Sequence, residues 1–482
     1  MSFSDTIKGL ISKAFEPRER GPWPQPAPGQ QDLMTPGVVH VPWSDQFDWN
    51  WNVGARYIRQ LFLTTPMAMA WATTHRGLKT VDDQRFAAIL TDGIISKFLA
   101  DLEPIDETLF GDVLASSPGV TWCKSDFRPM SLISSPIEGK TAPTVVLWEV
   151  TGTHRYAVRA IAVGAVVFVP GDGPRWEAAR CFALQGAGVL TTILMHPLLH
   201  FPADTVSAIT RTRLPEGHIL RQLLMPHQRL SLEVNDVVLH GRKTVLRPGV
   251  LYSPYPGDLP QHLRVVSALW RGYPFDQPSK AFPSYVFPLD KPVVRSEYGD
   301  FLGRYWDVIF TFVKQIVDVI DPDDADVAAW AHHISRWLPG FPDESRIFVG
   351  DTLARAVTSV IHTVSVAHTA DHWIYHYDVD PREVPFRLRM QVPGTDASYE
   401  PPDPADRVEW NDNLTYFMCS ALFFKPFTVE GLAKVDYRFD SPDDQQRNAD
   451  FRNALAAVQL WLEQNRRKIY IPLDQIATSV QF

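Results

Sequence analysis

Four histidines carry the strongest chemical signal in this 482-residue chain. His196 and His200 form one His-x-x-x-His pair; His368 and His372 form a second, far along the sequence. On a helix, residues four apart sit about 40° apart on one face. Two such helices facing each other can offer four imidazoles to one metal ion, and the interior of a helical bundle is a usual place for such a centre. Imidazole suits first-row transition metals. The chain has 15 histidines, so one pair alone could be chance. Two pairs with identical spacing, each inside an apolar segment, favour a metal site. The sequence ends at Phe482.

The elements that must position these residues can be read from the apolar pattern. A helical run starts near Trp176 and passes through His196 and His200. A second runs from Asp351 to about Tyr375 and carries His368 and His372. A patterned helix starts near Tyr305, where Trp306, Ile309, Phe310, Val313, Ile316, Val317 and Ile320 keep helical rhythm. The acidic stretch after it (DPDDAD) lacks the Gly and closing Glu of a calcium loop and reads as a helix start capped by Asp. Further helices are expected at Ala55–Leu63, Asp82–Leu102 and Asn448–Arg466. The β-rich runs Thr144–Val150 and Ala157–Val169 predict a hairpin in a small sheet. Residues 245–290, rich in Pro, Gly and Tyr, read as irregular, and the last segment is apolar enough to be buried. The fold class is mainly α with a small β-sheet region. Residues 1–50 read as a short amphipathic helix and a Pro-rich extended tether, and 51–482 as the catalytic domain.

Composition bounds the function. Hydrophobic residues make up 45% and charged residues 21%, as in ordinary globular proteins. Net charge is −9, from 46 basic and 55 acidic residues, with no basic stripe, which argues against nucleic-acid binding. Cys123, Cys181 and Cys419 lack paired spacing, against a disulfide framework or a Cys-based zinc site and in favour of a reducing, cytoplasmic location. The N-terminus lacks the apolar core of a signal peptide, and no stretch reads as a membrane span. Its amphipathic helix has two readings, a transient contact with a membrane surface or a cap on the fold.

Several segments resemble the lipoxygenase family. Trp176-x-x-Ala179-Arg180, ahead of His196, is similar to the family's W-x-x-A-K. The stretch from His200 through His218 to Leu223-Leu224-Met225-Pro226-His227 is similar to the run that ends in H-P-x-x-K-L-L-x-P-H, and Glu233-Val234-Asn235 to the E-I-N that follows. WDVIFTFV from Trp306, with Trp330 and Gly340-Phe341-Pro342, resembles the helix pair before the third ligand. SVAHTADHWIYHY from Ser365 resembles S-A-x-H-A-A-V-N-F-G-Q-Y, and the closing ATSVQF resembles P-N-S-V-S-I. The resemblance covers about residues 120–482.

It implies a lipoxygenase-type helical catalytic domain around one non-heme iron, or manganese in some members. His196, His200, His368 and His372 would be side-chain ligands, and the carboxylate of Phe482 the oxygen ligand. The family's reaction removes a hydrogen between two double bonds, and dioxygen traps the carbon radical. Four departures stand out. The family's first histidine pair has four intervening residues on a helix with a π-type insertion. Here there are three, so a regular helix would suffice, with a kink expected at Pro197. Tyr375 replaces the family's Gln, and Thr192 its Gln or Glu, at positions that adjust the ligands from outside the coordination sphere. Phe482 replaces Ile. Val238 stands where Ala or Gly guides oxygen attack. The family's N-terminal β-sandwich is not expected, since residues 1–50 are too few to build one.

The expected activity is therefore a non-heme iron (or manganese) dioxygenase acting with O2 on an unsaturated lipid or lipid-like small molecule. One rival is the same fold turned to a non-fatty metabolite, such as an amino-acid derivative; the other is an inactive scaffold. Val238 and Tyr375 both add volume near the centre, which predicts a shorter, differently shaped or more polar substrate than usual. Among the other histidines, His218 and His227 read as structural, His362 as facing elsewhere, and His240, His332, His333 and His376 as surface or loop groups.

Overall fold

The computed structural model describes residues 19–20, 39–40, 43–240, 244–266, 286–374, 379–424 and 430–481. The N-terminal amphipathic helix, Tyr375, His376 and Phe482 lie outside the described residues, as does the side chain of His240. The Pro-rich segment is not wholly a tether, because β1 (Glu19–Arg20) pairs antiparallel with β2 (Val39–His40).

Helices dominate, with one five-stranded antiparallel sheet. A π-helical stretch, Asp48–Gly54, leads into α1 (Ala55–Thr74), and α2 (Asp83–Thr91) follows. The second helix is shorter than expected. It stops at Thr91, and the chain turns through the 3-10 stretch Ile94–Phe98 into β3 (Leu99–Ala100). β4 (Trp122–Asp126), β5 (Thr144–Gly152), β6 (Arg155–Val163) and β7 (Val166–Phe168) continue the sheet in sequence order. The expected hairpin is β5–β6, with Val146 opposite Ile161. The unbroken apolar run of β5 has a physical cause, since both faces are covered. Val146 and Trp148 face the main core, whereas Val145 and Leu147 pack on Phe110 beside the short helices of residues 104–115.

The centre of the molecule is a 40-residue helical run, Pro174–Arg213. It comprises α3 (Pro174–Leu190), a π turn at Thr191–Met195 and α4 (Pro197–Arg213). By length and composition alone it could cross a membrane, but most of it is buried in the protein core. Close packing is bought with glycine: a Cβ on Gly186 would lie 2.7 Å from Phe127 Cβ, and one on Gly188 2.7 Å from Val384 Cγ1. α5 (Ser231–His240) and α6 (Leu259–Val266) follow, the latter inside a stretch expected to be irregular. α7 (Glu297–Val317) is capped by Ser296, and α8 (Ala325–Ser335) by Asp324, whose carboxylate accepts from Asp326 N and Val327 N, as read from the sequence. α9 (Thr352–His362), a second π turn (Thr363–Ala367) and α10 (His368–His372) form the other histidine helix. α11 (Trp410–Phe423) and α12 (Pro442–Gln464) complete the set, and the closing segment is buried from Ile469 to Val480 except for a few positions.

Candidate metal centre

Each histidine pair begins right after a π turn. His196 N donates to Thr191 O at 3.0 Å, five residues back, so the turn carries one extra residue. The helix through the first pair is itself regular, as its spacing led us to expect, and the π turn ahead of it was not foreseen. The extra residue is present, but it precedes His196 instead of separating the two histidines. Pro197 then occupies the first turn of α4, where a missing N–H costs little. The second π turn ends at Ala367, directly before His368.

The four rings converge on a point. His196 Nε2 lies 2.9 Å from His200 Nε2, His200 Nε2 lies 2.9 Å from His368 Nε2, and His368 Nε2 lies 3.2 Å from His372 Nε2. All four ligand atoms fall within 4.8 Å of one another. Imidazole nitrogens about 2.1 Å from a metal and at right angles to each other stand about 3.0 Å apart, so the spacing fits one ion. The tautomers fit as well. His372 Nδ1 faces the carbonyl oxygen of Phe423, and His196 Nδ1 faces Asp371 Oδ2 at 3.4 Å. An acceptor at Nδ1 places the proton there and leaves an Nε2 lone pair aimed at the centre.

Burial favours the neutral form of His196 and His372, the form that binds metal. It pushes His196 down to about 3, with the nearby Lys97 charge adding to the effect. His372 is held well below the ordinary histidine value by burial and then by His196 and His200. His200, His368 and His372 are buried; His196 is partly open towards a cavity.

That cavity, of about 370 Å³, has the histidines at one end. Trp49, Tyr57 and Leu61 form one wall, Val234, Val237 and Val238 of α5 another, and Leu422, Phe423 and Phe424 a third. Among the described lining residues none is charged. Val238 lies on the wall. Thr192 also lines the cavity, and its hydroxyl donates back to Gly188 O and Val189 O within its own helix.

His218, His227 and His362 make structural hydrogen bonds. His218 accepts from Leu220 N and contacts Asp324 at 3.2 Å, His227 bridges Thr478 O and Tyr437 Oη, and His362 bonds Leu302 O. His332 is partly exposed beside Glu344. Sequence reasoning missed Asp371 and Lys97, which form a buried ion pair behind His196. The signal for Asp371 was a carboxylate inside an apolar helix, one residue before His372; such a group is rarely buried without a partner. The chain's approach to Phe482 is defined as far as Val480 and Gln481, both fully buried, with Val480 packed against Ala203 and Val364 beside the two histidine pairs.

Comparison with known proteins agrees with this geometry. No family model matches the chain. The human polyunsaturated fatty acid lipoxygenase ALOX15 is 24% identical over 374 residues, 73% of this chain and 54% of the relative. The manganese lipoxygenase of Pleurotus sapidus is 25% identical over 266 residues, 50% of this chain and 40% of the relative. The chain thus spans about half the length of the curated relatives it matches. Among solved structures, coral 8R-lipoxygenase superposes with a TM-score of 0.66 at 14% identity, covering 88% of this chain and 74% of the other. A lipoxygenase with residues 413–417 replaced by Gly-Ser gives 0.72 at 14% identity, covering 99% and 82%. The fold is that of the lipoxygenase catalytic domain. In sequence the chain is similar to lipoxygenases at 23–26% identity.

Proposed function

We propose that this chain is a lipoxygenase-type dioxygenase, with one non-heme iron or manganese held by His196, His200, His368 and His372. The observation that carries the reading is the convergence of four imidazoles, their ligand atoms within 4.8 Å of one another, beside an apolar cavity with no charged residue among its described lining. The metal, when bound, would supply the one-electron chemistry that removes a substrate hydrogen. The chain's residues do the rest. Asp371 and the Phe423 carbonyl orient His196 and His372. The walls exclude water and hold an unsaturated chain against the histidine end, where O2 can meet it. A polar, amino-acid-derived substrate would find no charged partner among the described lining residues, so a lipid or lipid-like substrate is favoured over the non-fatty alternative, and Val238 favours a shorter or differently shaped one. An inactive scaffold would have no need of four convergent donors. Trp51 and Phe62, exposed on the segment that lines the cavity through Trp49, Tyr57, Ile58 and Leu61, support transient contact with a lipid surface. Three free cysteines fit a cytoplasmic setting.

The test is elemental analysis of the purified protein combined with conjugated-diene absorbance under O2, using linoleate and shorter dienoic acids. About one iron or manganese per chain, with turnover faster on the shorter acids, is expected. Zinc alone, or no metal after gentle purification, overturns the metal assignment. Turnover of linoleate on the order of 10 per second overturns the size restriction.

A further inference from the structure

Asp371 touches both histidine helices. It belongs to α10, one residue before His372, and its side chain crosses to the other helix, where Oδ2 meets His196 Nδ1 at 3.4 Å. Its second oxygen, Oδ1, accepts from Lys97 Nζ, which comes from a third element, the 3-10 stretch Ile94–Phe98. The side chains are 0% exposed for Asp371, 8% for Lys97 and 13% for His196. Lys97 occupies Oδ1 and leaves Oδ2 to His196, so the pair fixes which oxygen the ring sees.

Stability does not explain this arrangement. A buried ion pair can often be replaced by apolar groups of similar volume at no cost, or with a gain. The 94–98 stretch is already anchored by buried Ile94, Ile95 and Phe98 and by Ser96 Oγ bonded to Ser296 Oγ at 2.7 Å. We infer that Lys97 and Asp371 are positioning residues for the metal centre, holding the His196 ring in one orientation with its Nε2 lone pair inward. His196 is the ring that needs such help. It alone of the four is only partly buried, and it sits at the junction between a π turn and Pro197, where the helix ladder is interrupted. Groups that orient a ligand in this way typically contribute 10–100-fold in metal affinity.

The inference rests on the metal reading above, and the test separates the two. Mn2+ alone is titrated into metal-free protein, free Mn2+ is read by its electron paramagnetic resonance signal, and melting of the metal-free form is followed in parallel. Lys97→Met with Asp371→Leu removes the acceptor. Lys97→Met with Asp371→Asn keeps an oxygen acceptor of the same shape. The Leu pair should bind Mn2+ about 10–100-fold more weakly while melting near the unaltered protein, and the Asn pair should recover most of the affinity. Equal affinity of the Leu pair and the unaltered protein overturns the inference, as does equal loss in both pairs. If the Leu pair does not fold, Asp371→Ser with Lys97→Met, too short to reach His196, takes its place in the same comparison. His368→Ala serves as the control for the reading itself. Its retention of full Mn2+ binding sinks the metal site, whereas its loss beside an unaffected Leu pair sinks only the role of Lys97 and Asp371.

Discussion

A single imidazole decides whether the centre closes. His368 is fully buried and its Nε2 lies 2.9 Å from that of His200 and 3.2 Å from that of His372, so it sits between the two pairs. His368→Ala should lower metal affinity by more than the roughly 10–100-fold typical of a supporting group, while melting of the metal-free protein changes little; metal content after dialysis against a weak chelator measures it. At the cavity wall, Val238→Ala removes two methyl groups beside the histidine end and should raise diene formation from linoleate or shift the oxygenated position, read by product chromatography. An unchanged product profile would show that Val238 does not shape the site. The histidines were legible because their spacing repeats inside apolar helices. Lys97 and Asp371 were not, because 274 residues separate them and nothing local links a lysine on a short turn to a carboxylate on a distant helix.

Elements bring these side chains to a point, and here the sequence was a poorer guide. The count of three residues between His196 and His200 fits a regular helix, whereas the π turn just ahead of it, at Thr191–Met195, was not legible. A π turn costs helix geometry and carries no distinctive local composition. Long amphipathic stretches such as α7 and the Asp-capped start of α8 were readable, since periodicity and caps are local. α3 reads as helix, but its glycines read only as weak points. In the fold they permit the approach of Phe127 and Val384. Gly188→Val should force Val384 aside, cost about 1–3 kcal/mol and lower the melting temperature by a few degrees. Because α3 feeds directly into the π turn, metal affinity should fall with it. A variant that melts like the unaltered protein would mean that the contact relaxes freely.

At the scale of the whole molecule, buried neutral histidines tie distant parts together. His227 links the closing segment at Thr478 O to Tyr437, His262 joins Leu246 O to Gly257 N, and His362 holds α9 to Leu302 O. Burial pushes each of the three from 6.5 down to about 4. In the unfolded chain they would take up protons near 6.5, so between those values the unfolded state binds more protons than the folded one. Stability is therefore full above pH 6.5 and is lost as pH falls towards 4. Each group adds up to about 1.4 kcal/mol per pH unit in that window. None of the three is a proposed ligand, so the loss should appear in metal-free protein as well. Melting temperatures should be level above pH 7 and fall steeply from 6.5 to 4. His227→Gln keeps a side chain able to hydrogen-bond Thr478 O but cannot gain a proton. It should be less stable at pH 7, where a good geometry is lost, yet show a shallower fall with acid by one histidine's share. The same acid slope in both proteins would mean that protonation of His227 does not drive the unfolding.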